Sequence, residues 1–286
     1  MGLAVTWLDV FAVEPLSGNQ LAVVHDADGL SDARMLALAR ETGLSETTFV
    51  QEPRAGGDYR NRIWWPRGEL PFAGHPSLGT AVAVAHRRGE RSVRYVQETP
   101  AGLQPIDVAL AEGPDLPARA SMLQEPAAFG PWLEPGSVAA AVGLEAGDVD
   151  RELPAQVVST GVPHVLLALR DVDALERCAP DRGALTALLE RSAATTLYAF
   201  VASAPAGHAR ARAFFDSPRG VVEDPATGSA AGPLCAYLDR HVGCERVTVE
   251  QGADVGRPSR LEAHVEGDRV RVAGDVYVIA VGELLT

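Results

Sequence analysis

The chain has 286 residues, a formal net charge of −13 and 47% hydrophobic residues, which is the composition of a globular protein with room for two domains of ordinary size. The acidic balance and the scattered arginines exclude a basic surface for nucleic acid. No run of about 20 apolar residues occurs, so no membrane span is predicted. Neither a nucleic acid nor a membrane is expected as a partner.

The start of the chain and its cysteines predict a cytoplasmic protein. The first seven residues lead into a strand and lack the basic start, apolar core and small-residue cleavage site of a signal peptide. Cys178, Cys235 and Cys244 form an odd set without a C-x-x-C pair, which is typical of a reducing compartment.

The basic residues exclude several cofactor classes, because all 25 Lys and Arg residues are arginine. A chain without lysine cannot form a pyridoxal-phosphate Schiff base or a P-loop for nucleotide phosphates. The G-x-G-x-x-G fingerprint of dinucleotide binding is missing after a strand. No H-x-x-x-H pair or Cys/His cluster predicts a metal site. We therefore expect no cofactor and no metal.

Strands dominate the elements predicted along the chain. Short apolar runs bounded by turn residues indicate each of them. The sequence does not indicate the pairing partner of the closing strand, which can pair with either half. The predicted strands lie over residues 6–13, 20–25, 47–51, 92–98, 103–110 and 269–283.

One predicted helix places a carboxylate at the edge of a strand. Ser31 is the expected N-cap, the apolar spacing continues to about Thr42, and Gly43 ends the helix. Glu46 follows, directly before a strand that begins at Thr47. A side chain in this position projects from a rigid element, as a functional group requires.

The prolines and glycines between residues 113 and 135 predict a linker. We expect an N-terminal half over residues 1–118 and a C-terminal half over residues 119–272. Residues 273–286 contain the closing strand.

The two halves share one motif, P-x-x-G-[HS], at Pro71–His75 and at Pro225–Ser229. Each copy follows a β-like run and opens a helical run of small residues. A helix start leaves backbone N–H groups unpaired, and together with the helix dipole these attract a carboxylate or an enolate-like oxygen. Further weak matches occur in the same order in both halves, which favours a duplication. Two such turns predict a small-molecule ligand held in a cleft between the halves.

The polar groups of the two copies differ. By eye, Glu46 aligns with Leu197 of the second half, and Asp224 aligns with Leu70 of the first. A duplicated scaffold of this kind brings one carboxylate from each half to a single cleft, where different environments separate their pKa values.

Each candidate group also has a structural interpretation. Glu46 is also consistent with a solvated strand start, and His75 with a capping or packing role. Asp224 precedes a proline, as turn residues commonly do, and Ser229 is a suitable helix cap. His164 lies in an apolar strand and is interpreted as a hydrogen-bonded core residue.

Taken together, several blocks of the sequence resemble the signature of the PhzF family. The resemblance covers essentially the whole chain, in the correct order. Two departures stand out: Gln20 occupies a position where the family commonly has proline, and a bulky Trp64-Trp65 pair either reshapes the pocket or packs the first core. The blocks are Asp9–Phe11, Gly18-Asn19, Leu44–Phe49, Glu69–Pro76, Gly79–Ala81, Glu223–Gly232, Gln251-Gly252 and Gly256–Ser259.

The resemblance implies an α+β fold similar to that of diaminopimelate epimerase, with two pseudo-symmetric halves, each a curled mixed sheet or barrel around a central helix. It also implies a homodimer and a cofactor-independent isomerase. The namesake converts trans-2,3-dihydro-3-hydroxyanthranilate into an unstable aminoketone in the interdomain cleft. Moving a proton between carbons with one carboxylate requires a water-poor pocket, which raises the carboxyl pKa.

The residue roles that the resemblance implies fall on matching positions. Glu46 matches the catalytic glutamate that takes a proton from one ring carbon and returns it to another. His75 and Asp224 match residues that hold or protonate the substrate. The substrate-binding positions are Asn19, Gly74, Gly228 and Ser229.

Two other functions remain open from the sequence. An amino-acid epimerase of the same fold uses one cysteine at each turn, but the first cysteine here is Cys178, so the first half contains none. A binding protein that keeps the cleft without turnover is the other alternative. Substitution of Glu46 separates catalysis from binding.

Overall fold

A computed structural model of the chain describes residues 2–113, 116–203, 206–217 and 220–285. The described chain forms two compact units, one containing the residues up to Leu123 together with those from Ala273 onward, the other containing Gln124–Val272. The first unit contains β1 (Leu3–Val10), β2 (Asn19–Val24), α1 (Asp32–Thr42), β3 (Thr47–Gln51), β4 (Tyr59–Trp65), β5 (Gly68–Leu70), α2 (Gly74–Arg88), β6 (Ser92–Thr99), β7 (Gly102–Ala109) and β8 (Ala118–Leu123).

The second unit has a similar succession of elements. Its last strand, β17, continues into the first unit. The elements are β9 (Ala128–Trp132), α3 (Pro135–Ala140), β10 (Gln156–Ser159), β11 (Pro163–Ala168), α4 (Val172–Glu176), α5 (Arg182–Ser192), β12 (Thr196–Ser203), β13 (His208–Ser217), β14 (Gly220–Asp224), α6 (Gly228–Val242), β15 (Arg246–Gln251), β16 (Ser259–Glu266) and β17 (Arg269–Leu284).

The first unit is a closed barrel of eight strands, in the order β17-β1-β2-β3-β4-β6-β7-β8 and back to β17. The pairs β2–β3 and β4–β6 are parallel. Helix α2 lies in the barrel and is buried from Gly74 to Ala85. Its small residues allow this position, since a Cβ on Gly79 would lie 2.5 Å from Leu21 Cδ2 and 2.8 Å from Val10 Cγ2.

Helix α1 covers the outside of this barrel. Ser31 caps it by accepting a hydrogen bond from the Arg34 N–H, and Gly43 ends it in the left-handed conformation, with φ 69°, as predicted. The apolar face of α1 packs on a buried cluster that includes Phe49 and Trp64. Trp64 therefore packs the first core, where it is 5% exposed.

The second unit contains a mixed sheet in the order β9-β10-β11-β12-β13-β15-β16. The pairs β11–β12 and β13–β15 are parallel, and β14 forms a hairpin with β13. Helix α6 contacts β10, β11, β15 and β16 and is buried along most of its first eleven residues. A separate apolar cluster joins α3, α4 and α5 to the strands.

Strand registers give the equivalence of the two units. Ile63 lies opposite Leu70 in the first unit, and Ala213 lies opposite Asp224 in the second. Ile63 directly follows Arg62, and Ala213 directly follows Arg212. The residues opposite them, Leu70 and Asp224, are therefore equivalent positions.

The same registers correct the sequence alignment of Glu46 with Leu197. Trp64 is opposite Thr47, and the equivalent Phe214 is opposite Leu197. Thr47 is therefore the counterpart of Leu197, and Glu46 corresponds to Thr196. The alignment by eye was wrong by one residue, because two β-branched runs align almost equally well in either register.

The α+β class and the central helix are confirmed. The stretch predicted as a linker contains the boundary between the two units, after Leu123, but it is not irregular chain throughout. Residues 113–135 contain strands β8 and β9. Within the described part of this segment, Pro117 directly precedes β8, Pro126 lies between the strands, and Pro135 begins α3. Pro117, Pro126 and Pro135 therefore lie at the ends of short elements, whereas Pro131 lies within β9, and in sequence this spacing resembles a continuous loop. In the described chain, no helix is long and apolar enough to cross a membrane.

Candidate active site

The first group of candidate residues lies at the N-terminus of α2. Glu46 is in the short connection between the end of α1 and β3, and His75 is the second residue of α2. His75 Nε2 lies 3.5 Å from Glu46 Oε2, and the two side chains are 8% and 18% exposed. The barrel therefore brings together the two residues that the sequence places 29 positions apart.

The environment of His75 determines its charge. Burial lowers the pKa of His75 to about 3, although a hydrogen bond with the Gln20 backbone acts in the opposite direction. The ring is neutral near pH 7, its one N–H donates to the Gln20 backbone carbonyl, and Nε2, which faces Glu46, offers a lone pair. It can orient a ligand or share a hydrogen bond with the Glu46 carboxyl, but it does not supply an imidazolium.

The start of α2 has no side-chain cap. Ala73 occupies the N-cap position and makes no side-chain hydrogen bond to the helix. Gly74, the first helical residue, lies beside His75. An N-terminus without a side-chain cap presents N–H groups and the positive end of the helix dipole, which together favour an anionic group.

Asn19 lies next to Gln20, the residue whose backbone binds His75. The turn before Asn19 is tight, because Gly18 has φ 69° and a Cβ there would approach Val10 O to 2.6 Å. Asp9 closes the turn by accepting a hydrogen bond from the Leu16 N–H at 2.8 Å. Asn19 itself is 2% exposed.

The second group of candidate residues lies at the N-terminus of α6. Asp224 ends β14, and Gly228 and Ser229 are the first two residues of α6. Thr227 is the N-cap residue, but its hydroxyl does not bond to the helix. It donates instead to Asp224 Oδ2, at 2.6 Å. The second unit therefore brings Asp224, Gly228 and Ser229 to one end of a buried helix.

Two arginine–glutamate pairs lie in the equivalent hairpins that precede α2 and α6, and the sequence analysis missed them. Arg62 binds Glu69 through Nε and one terminal nitrogen, at 2.7 and 2.6 Å. Arg212 binds Glu223 in the same way, at 3.0 and 2.6 Å. Each glutamate directly precedes the equivalent position Leu70 or Asp224. The repeated Arg and Glu at matching positions were the available signal.

The buried cysteines of the second unit are poorly suited to thiol acid–base chemistry. Burial raises the pKa of Cys178 to about 11 and that of Cys235 to about 12.

His164 is 1% exposed, and burial lowers its pKa to about 3 against an opposing contact with the Ser229 backbone. Neither of its ring nitrogens makes a well-formed hydrogen bond in the described chain. His164 is thus buried in the core, as predicted, but the hydrogen bond expected for it is not well formed.

The architecture defines the class of protein. A crystal structure of a probable proline racemase from Agrobacterium radiobacter covers 99% of this chain and 92% of its own with a TM-score of 0.68 at 12% identity. A PhzF-family phenazine biosynthesis protein from Bacillus anthracis matches over 100% of both chains with a TM-score of 0.86 at 27% identity. The fold is thus the α+β fold shared by the racemase-like and PhzF-like proteins.

The family follows from sequence comparison. The family model PhzC-PhzF, phenazine biosynthesis-like protein, matches residues 8–282. A trans-2,3-dihydro-3-hydroxyanthranilate isomerase from Pseudomonas aeruginosa is 41% identical over 93% of this chain and 91% of its own length. An isomerase of the same name from Pseudomonas fluorescens is 38% identical over 97% and 98%. The chain belongs to the PhzF family, and it is an isomerase.

Proposed function

We propose that this isomerase acts on trans-2,3-dihydro-3-hydroxyanthranilate or a close carboxylated cyclic analogue, without a cofactor. The observation that carries the proposal is the approach of Glu46 Oε2 to His75 Nε2, 3.5 Å apart at the start of the buried helix α2. The names and high coverage of the curated relatives support this substrate class.

Glu46 is the proposed base. Its carboxylate takes a proton from one ring carbon, and the electrons of that C–H bond move into the adjacent π system. The carboxyl group then returns the proton to a second carbon, which completes the isomerisation without redox change or a leaving group. The low exposure of the Glu46 side chain, 18%, limits water access while the proton is held.

The other groups bind and orient the substrate. We assign to neutral His75 a hydrogen bond to the substrate, and to Asn19 and Gly74 the support of the same ligand. In the second unit, Gly228 and Ser229 provide a helix N-terminus suited to the substrate carboxylate. These assignments combine the local geometry with the positions matched in the family.

Asp224 is the proposed second carboxylate of the reaction. Its Oδ2 accepts a hydrogen bond from Thr227, which suits a carboxylate that holds an amino or hydroxyl group of the substrate. Thiol-based epimerisation is not favoured, because the described cysteines are buried and the thiol pKa values of Cys178 and Cys235 are raised.

The test is proton NMR in D₂O with purified protein and trans-2,3-dihydro-3-hydroxyanthranilate. We expect consumption of the substrate and a proton or deuteron at a new ring carbon. Glu46→Gln should reduce turnover about 100- to 10,000-fold while substrate binding changes little. Glu41→Gln is the matched control, since Glu41 is an exposed carboxylate on α1, and it should retain wild-type turnover.

Two outcomes would reject parts of the proposal. A folded wild-type protein that leaves the substrate unchanged would reject this substrate. Turnover that survives Glu46→Gln would reject Glu46 as the base. If the protein binds the substrate without catalysis, both the wild-type protein and Glu46→Gln would bind the substrate and neither would consume it.

We also propose a cytoplasmic homodimer. The dimer rests on the family resemblance, and the location is supported by three unpaired, buried cysteines. Light scattering coupled to size exclusion should give about twice the chain mass of 30.1 kDa. A value near the chain mass would reject the dimer. Fractionation of the native host would test the location, and recovery outside the cytoplasmic fraction would reject it.

A further inference from the structure

Gln251 lies beside the turn from Asp224 to Thr227 in the second unit, and its side-chain amide uses all of its hydrogen-bonding capacity there. Nε2 lies 2.6 Å from the Asp224 carbonyl and 2.9 Å from Thr227 Oγ1. Oε1 accepts from Tyr198 Oη at 2.9 Å and from the Thr227 N–H at 3.2 Å. Gln251 is 3% exposed, so these contacts replace water.

The chemistry of the amide determines the direction of every bond. The Asp224 carbonyl can only accept and the Thr227 N–H can only donate, so the Gln251 nitrogen and oxygen are placed without ambiguity. Because Nε2 donates to Thr227 Oγ1, the single hydroxyl proton of Thr227 is directed elsewhere. That proton reaches Asp224 Oδ2, 2.6 Å away.

Tyr198 starts this chain of bonds as a neutral donor. It is fully buried, and burial raises its pKa well above the ordinary value, with a smaller contribution from the charge of Asp224. The result is a directional series, from the Tyr198 hydroxyl to Gln251 and from Gln251 through Thr227 to the Asp224 carboxylate.

The first unit lacks this arrangement. Its positions equivalent to Asp224 and Thr227 are Leu70 and Ala73, each counted from the shared hairpin and helix start. A threonine that served only as a helix cap would bond to the first turn of α6, but the Thr227 hydroxyl does not. Of these two equivalent positions, only the unit that carries the second carboxylate has a hydroxyl at the N-cap.

Close backbone packing supports the same turn. Gly252 follows Gln251 with φ 81°, and a Cβ there would lie 2.4 Å from the Pro225 carbonyl oxygen. Only glycine allows β15 to end this close to the Asp224–Thr227 turn. The Gln251-Gly252 motif thus has a local structural reason in the geometry of the turn.

We propose that Thr227 and Gln251 are positioning residues that fix the rotamer of Asp224 and hold it as a hydrogen-bond acceptor toward the substrate. This inference deepens the proposed function and rests on the assignment of Asp224 to the reaction. Thr227 acts on the carboxylate directly, and Gln251 acts through Thr227 and the Asp224 backbone. Neither residue needs to touch the reacting carbons.

Substitutions at Thr227 separate the hydroxyl from the shape of the side chain. Thr227→Val keeps the shape and loses the hydroxyl, and we expect kcat to fall about 10- to 100-fold with KM changed less than 3-fold. Thr227→Ser keeps the hydroxyl and should recover kcat to within about 3-fold of wild type. Thr6→Val removes a buried hydroxyl that bonds to His25, and it should leave kcat unchanged.

A second variant covers the case in which Thr227→Val does not fold. Gln251→Glu has nearly the same shape but no N–H donors, so it should also lower kcat without a matching change in KM. Wild-type kcat in either variant, once it is shown to be folded, would overturn the proposal. Equal losses in Thr227→Ser and Thr227→Val would also overturn it, because the hydroxyl would then not matter.

Crystal structures of the variants give a readout that does not depend on the substrate. We expect the Asp224 carboxylate to occupy more than one rotamer in Thr227→Val and a single wild-type rotamer in Thr227→Ser. A single unchanged rotamer in Thr227→Val would overturn the proposal even if the substrate assignment holds. An inactive wild-type protein would reject the proposed substrate, and the rotamers would still decide the positioning role.

Discussion

Acidification from pH 8 to pH 5 should strongly destabilise the protein, because three histidines are buried in neutral form. Burial lowers the pKa of His25 to about 4 and the pKa values of His75 and His164 to about 3. In the unfolded chain these rings titrate near pH 6.5. Below that value the unfolded state binds protons that the folded state excludes, so the free energy of unfolding decreases as the pH decreases.

The size of the effect follows from these values. Relative to pH 8, each histidine lowers the free energy of unfolding by about 0.8 kcal/mol at pH 6 and by about 2 kcal/mol at pH 5. The three together give about 2.5 and about 6 kcal/mol. Carboxylates with lowered pKa values, such as Asp32 and Glu98, contribute a loss mainly below pH 5, so the window above it reports the histidines.

The assay is urea unfolding at pH 8, 6 and 5, followed by tryptophan fluorescence and far-ultraviolet circular dichroism. His25→Gln is the informative variant, since an amide can also bond to the Thr6 hydroxyl that His25 contacts at 2.9 Å. It should lose about one third of the pH dependence. An unfolding free energy that is equal at pH 8 and pH 5, within about 1 kcal/mol, would show that the buried rings titrate normally in the folded state.

Two further predictions concern packing and charge in the first unit. Gly79→Ala should lower the free energy of unfolding by about 1 to 3 kcal/mol, because its Cβ would meet Leu21 and Val10 inside the barrel. Gly147→Ala is the control, since Gly147 has open space around it, and its free energy of unfolding should change little. Equal urea midpoints for the two variants would contradict this prediction. Arg62→Met should cost about 2 kcal/mol, because it leaves the partly buried Glu69 without its arginine. Arg94→Met breaks an exposed pair and should cost less than about 1 kcal/mol; equal thermal melts for the two arginine variants would refute this difference.

Local signals in the sequence were sufficient for much of the fold. Ser31 and Gly43 bound α1 as their capping chemistry requires, and the two P-x-x-G turns open helices of the same length, α2 and α6. The closing strand was also recognised, but not its partner. Its pairing with β1 depends on contacts across nearly the whole chain, which no local pattern encodes.

In the candidate site, too, some features follow from local sequence and others from contacts between distant residues. Glu46 and His75 were identified from their motifs, and the structure places them 3.5 Å apart. The hydrogen bond of Thr227 to Asp224 was not foreseen, because a threonine before a helix is interpreted as a cap. Its hydroxyl turns to Asp224 only because Gln251, 24 residues further along, already donates to it. Such a choice between two acceptable partners is decided by tertiary contacts.

Strand β17 has a consequence for how the protein is made. The barrel of the first unit lacks one of its eight strands until the ribosome has synthesised the whole second unit and then the residues from Ala273 onward. Until that point β1 and β8 are open edges, which are prone to pairing with other chains. We expect nascent chains halted before Ala273 to depend on chaperones, and removal of that last strand to cause aggregation rather than to release a stable smaller domain.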